Sequence, residues 1–159
     1  MTTASLSEIK KELHTLDPEK VEGLCNRLAK YKKENKELLT YLLFEAHDEY
    51  AYVENVKEEI RELFKTLPSS NVYLIKKTLR KILRFVNKQI KYSGIKQTEL
   101  ELRIFFCSKV KEARIPLHTG TVLFNLYQMQ LKKIETVLNK LPEDLQSDYQ
   151  REVNFIGKS

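Results

Sequence analysis

The chain is poor in the residues that make turns: 4 glycines and 4 prolines in 159 residues. So few turns disfavour a fold of many short strands and favour long helices joined by short links. Cysteine is nearly as scarce. Cys25 and Cys107 stand 82 positions apart inside apolar helical patterns, which makes neither a disulfide framework nor a metal-ligand cluster. Both are expected as buried, reduced thiols packing like small hydrophobes. Long apolar runs are also missing. The longest, such as Ile104-Phe105-Phe106-Cys107, are three or four residues, and none can span a bilayer. The first residues carry no basic stretch followed by an apolar one, so no secretory signal is expected. A cytoplasmic protein without a membrane partner is the default. The most pointed absence is local: between Asn71 and Tyr92 there is no acidic residue at all.

What is present is a chain with 42% hydrophobic and 31% charged residues and a formal net charge of +6. That balance excludes a disordered polyelectrolyte and permits anionic partners without requiring one. Apolar residues recur at spacings of three and four. Ser5 and Glu8 have capping-box spacing ahead of Leu6, Ile9, Leu13 and Leu16. Asp17-Pro18 starts a second helix, with Val21, Leu24, Cys25 and Leu28 inward, and a break is expected near Asn35. Leu38 to Phe44 forms a third helix ending near Ala46-His47. Asp48 caps a fourth through Leu67, and Gly94 closes a fifth. A sixth runs from about Lys96 to Ala113, with Leu100, Ile104, Cys107 and Val110 inward. Thr119 or Thr121 opens a seventh, with Val122, Leu123, Leu126, Met129, Ile134, Val137, Leu138 and Leu141 inward. Residues 143–159 are a last helix or a loose tail. The reading is all-α, a single domain over 1–159 of about seven helices, arranged as an irregular antiparallel bundle or a short α-solenoid.

The stretch from Leu24 through Tyr31, Asn35 and Tyr41 to Ala46, and in style the segment Tyr92 to Glu99, resembles a group of small, uncharacterised helical bacterial proteins. The resemblance implies an all-helical cytoplasmic domain and carries no activity or site residue with it.

The acid-free segment 71–92 is the candidate site. At ~100° per residue, Lys76, Lys77, Arg80, Lys81, Arg84, Lys88 and Lys91 fall within an arc of roughly 140°. Val72, Ile75, Leu79, Ile82, Leu83, Val86 and Ile90 occupy the other side. These seven cations could lie along phosphates or an acidic protein surface. Asn87 and Gln89 are the only nearby amides able to read bases. Against that stands an internal explanation. Residues 45–62 hold seven acidic side chains against Lys57 and Arg61, a net of −5, and could neutralise the basic helix as an antiparallel neighbour.

Other chemistry is thin. Glu45, His47 and Glu49 lack the Glu-x-x-His spacing of a helical metal site, and His14 and His118 have no matched carboxylates. His118-Thr119-Gly120-Thr121 reads as a helix start. No phosphate loop, nucleophile elbow or Cys–His signature occurs, so no catalytic, cofactor or metal residue is assigned. Tyr41, Tyr50, Tyr52, Tyr73, Tyr92 and Tyr127 are expected at the margins of apolar stripes, with wet hydroxyls. The function expected is a non-enzymatic protein-interaction or scaffold module. A nucleic-acid-associated protein is the alternative, and a helical enzyme or ligand carrier a remote third.

Overall fold

Side-chain caps start four of the eight helices in the computed structural model, which describes residues 1–158. Ser5 Oγ accepts from the Glu8 N–H (3.3 Å) and Glu8 Oε2 accepts from the Ser5 N–H (2.8 Å), which opens α1, Leu6–Thr15. The Ser5 hydroxyl also donates to Glu8 Oε2 (2.7 Å), and that bond, with the one from the Ser5 N–H, favours the ionised carboxylate and lowers the Glu8 pKa. Pro18 begins α2, Pro18–Tyr31. The break then falls at Lys32, extended at φ −146°, and α3 runs Lys33–Thr40 into a π-helical turn, Tyr41–Glu45. Asn35, where the break was expected, instead lies in the first turn of α3. Its side-chain amide donates to the Leu28 carbonyl (2.9 Å), satisfying an acceptor that the end of α2 leaves open.

Asp48 Oδ1 accepts from the Ala51 N–H (3.0 Å) and starts α4, Glu49–Phe64. Asn71 does the same for α5, Val72–Ser93, through the Leu74 N–H (3.1 Å). Gly94, at φ +69°, ends α5 in the left-handed conformation that glycine adopts without a Cβ penalty. Helix α6 is Lys96–Glu112. Thr121 caps α7, Val122–Leu138, and residues 143–157 are helical as α8, Glu143–Gly157. The described residues contain these eight helices and no strand.

The chain divides into two compact units, Met1–Phe44 and Glu45–Ser159. In the second, α6 is the hub: it packs on α4, α5, α7 and α8, while α4 also packs on α5 and α7 on α8. Neighbours on several sides bury more than one stripe of a helix. That is why Leu102, Arg103 and Phe106 are buried in addition to the expected stripe of Leu100, Ile104, Cys107 and Val110. A hub helix with four neighbours makes this unit a bundle; a solenoid stacks each repeat on its neighbours alone.

Two further expectations need correction. Val122 and Met129 are exposed, because the buried face of α7 runs through Leu123, Tyr127, Gln130, Ile134 and Val137. Tyr52 and Tyr127 are buried, and their hydroxyls are bonded within the protein, to Gln89 and to the Ile156 carbonyl.

Candidate functional site

Helix α5 is divided lengthwise. Ile75, Leu79, Ile82, Leu83, Val86 and Ile90 are buried, and this apolar stripe anchors the helix against α4 and α6. The seven cations occupy the other side but are not equivalent. Lys77, Arg80, Lys81, Arg84 and Lys91 are exposed. Lys76 is half-buried, with Nζ 5.2 Å from the centre of the Tyr73 ring. Lys88 is half-buried and partnered.

The acidic helix pairs with none of the five exposed cations of this face. Its carboxylates are taken up along its own length: Lys57 Nζ to Glu54 at 2.8 Å, Arg61 to Glu58 at 2.6 Å, and Lys65 to Glu62 at 2.5 Å, each pair three residues apart. Lys57 also reaches Glu101 of α6 at 3.2 Å. Burial depresses the Lys57 pKa, but Glu54 and Glu101 together outweigh it and the net direction is upward. Glu49 accepts from Ser93 and, at 2.5 Å, from Thr98 Oγ1. The reason is geometric. Side chains three and four apart on one helix are neighbours, so Glu54, Glu58 and Glu62 find their cations within reach on the same helix. Among the described residues, Lys77, Arg80, Lys81, Arg84 and Lys91 have no carboxylate within ion-pair distance.

Both amides that might read bases are committed to the fold. Asn87 Oδ1 accepts from Arg103 Nη1 (3.0 Å) and Gln89 Oε1 from the Tyr52 hydroxyl (2.8 Å). The face offers point charges and guanidinium groups, and little else.

Arg103 is a residue that sequence reasoning overlooked. It is buried in α6, with Nε and Nη2 on Glu99 Oε1 at 2.8 and 2.7 Å and Nη1 also on Gln130 Oε1 at 3.0 Å. Its signal in the sequence was Glu99, one turn earlier, beside an otherwise apolar run. This cluster joins α5, α6 and α7.

Two of the histidines lie ahead of helix starts. His47 sits in the turn before α4, and the His118 carbonyl accepts from the Thr121 N–H (3.1 Å) and hydroxyl (2.7 Å) at the start of α7. Burial pushes the Cys107 thiol up to about 12, so it is un-ionised at neutral pH. Tyr149 is likewise raised to about 12, first by burial and then by donating to Glu101 Oε1 (2.6 Å). Among the described residues no three His, Cys, Asp or Glu side chains gather as a metal site, and no helix is long and apolar enough to cross a membrane.

Comparison of the chain with known protein families, with characterised proteins and with solved structures gives no match.

Proposed function

We propose that this protein is a non-enzymatic, cytoplasmic interaction module that receives an acidic segment of a partner protein on the basic face of α5. One observation carries the reading: five exposed cations along one helix face have no ion pair within the described residues. A helix of 22 residues is about 33 Å long, and side chains three or four apart stand ~5–6 Å from one another. Carboxylates at i and i+4 on an acidic helix repeat at the same interval, so the two rows can pair in register. Two unpaired thiols support a reducing compartment.

Nucleic acid is the second reading, favoured by the absence of any acidic side chain between Asn71 and Tyr92. With Asn87 and Gln89 engaged, such binding would rest on phosphates alone and be independent of sequence.

Fluorescence anisotropy with a labelled alanine-based helical peptide carrying Glu at every fourth position, and with a random-sequence duplex, tests both. The peptide is expected to bind, to weaken with salt, and to lose binding in a Lys77→Glu, Arg80→Glu, Arg84→Glu variant of unchanged helicity. Preferential binding of the duplex, with a log–log salt slope of about −0.9 per phosphate contacted, selects the second reading. Failure of both probes removes the basic face as a binding site.

A further inference from the structure

Unit Met1–Phe44 contains both halves of a contact that it does not make. Every residue of α1 is exposed, and its apolar row of Leu6, Ile9 and Leu13, at relative exposures of 85%, 43% and 39%, has no seat. Helices α2 and α3 contribute no buried residue either. Between them lies an open apolar groove walled by Cys25, Leu28 and Ala29 on one side and Leu38, Leu39 and Leu42 on the other. The polar residue at its apex, Asn35, already donates to the Leu28 carbonyl, so covering the groove would strand no donor of that amide. A unit of 44 residues lies near the lower limit at which a core forms without a partner.

We infer that α1 of one copy occupies the α2–α3 groove of a second copy, and that the exchange is reciprocal. The occupant follows from self-complementarity: the groove needs an amphipathic helix of about ten residues, and the same unit presents one without a seat. Leu16 and Asp17, the two-residue link between α1 and α2, are both extended and leave the groove of the same chain open. Short hinges of this kind favour exchange between copies over docking within one. Charge does not oppose it, since residues 1–44 carry eight basic and seven acidic side chains. Area also favours reciprocity. Stable interfaces bury about 1,200–2,000 Å² in total, and two helix-in-groove seats related by a two-fold axis double what one short helix can supply. The resulting dimer is closed, leaving no open seat for a third copy.

Sedimentation velocity of the full chain tests this across a dilution series. A concentration-dependent dimer is expected, and both Ile9→Lys with Leu13→Lys and Leu28→Lys with Leu38→Lys should return it to a monomer of unchanged helicity. A cross-link on otherwise native protein gives the register. Ile9→Cys should oxidise with Cys25 to a covalent dimer, Cys107 being wholly buried. The inference is overturned if the native chain stays monomeric at the highest concentration reached, or if the dimer survives the α1 substitutions. A cross-linked species of monomer mass, meaning that α1 docks within its own chain, overturns it too.

Discussion

Arg103 and Gln130 are joined by a buried hydrogen bond, Nη1 to Oε1 at 3.0 Å, that ties α6 to α7. Both side chains are more than nine-tenths buried. Replacing Gln130 by Leu removes one acceptor from a guanidinium with no water to replace it, and should cost about 1–3 kcal/mol in urea denaturation. Arg103→Lys should be destabilising as well, because an ammonium cannot span Glu99, Asn87 and Gln130 as a planar fork does. Combining Gln130→Leu with Arg103→Met and Glu99→Gln should recover much of the loss, since the ion pair is then removed whole and leaves no charge without a partner.

Stability should fall at high pH, and the sign follows from Cys107 and Tyr149. Each is raised in the folded protein to about 12, from ordinary values of 9.0 and 10.0. Between those limits the unfolded chain has released protons that the folded chain still holds, so unfolding is favoured as pH rises. The contribution is absent below pH 9 and grows toward pH 12. Denaturation midpoints measured from pH 7 to 11 should decline from about pH 9, and Cys107→Ala should flatten the first part of that decline.

The two thiols should separate kinetically. Cys25 is half-buried in the groove wall, whereas Cys107 lies at the centre of the α6 bundle with its thiol un-ionised. A thiol-specific chromogenic reagent should modify one cysteine per chain in native protein dilute enough to leave the α2–α3 groove open, and two in denaturant. Two fast thiols in native protein would mean that α6 opens.

Two aspartates at helix starts should differ although they look alike in the sequence. Asp48 accepts the Ala51 N–H, while Asp17 makes no side-chain cap bond and leaves initiation to Pro18. Asp48→Ala should therefore cost about 1 kcal/mol, and Asp17→Ala a few tenths at most. Thermal melts of the two variants compare them directly.

The helices were legible wherever a cap and a single apolar stripe agreed, as at Ser5, Asp48, Gly94 and Thr121. Reading failed where tertiary neighbours decide. Helix α6 has partners all round, so its pattern shows no single face and Arg103 passed unnoticed. Stripes on α1, α2 and α3 predict burial, but periodicity reports what a helix can bury and not whether a partner is there. The basic face was legible residue by residue. Its neutralisation by residues 45–62 was not, because a net charge of −5 says nothing of pairs such as Glu54–Lys57 that close within one helix.

The hub position of α6 also sets an order of events during synthesis. Helices α4 and α5 emerge from the ribosome with Val53, Val56, Ile60, Leu79, Ile82 and Val86 able to cover one another only in part. Their common partner begins at Lys96 and is itself finished only when α7 and α8 arrive. The nascent chain therefore carries bare apolar surface until its last helices are made, and any holding chaperone has its work before that point and little after it.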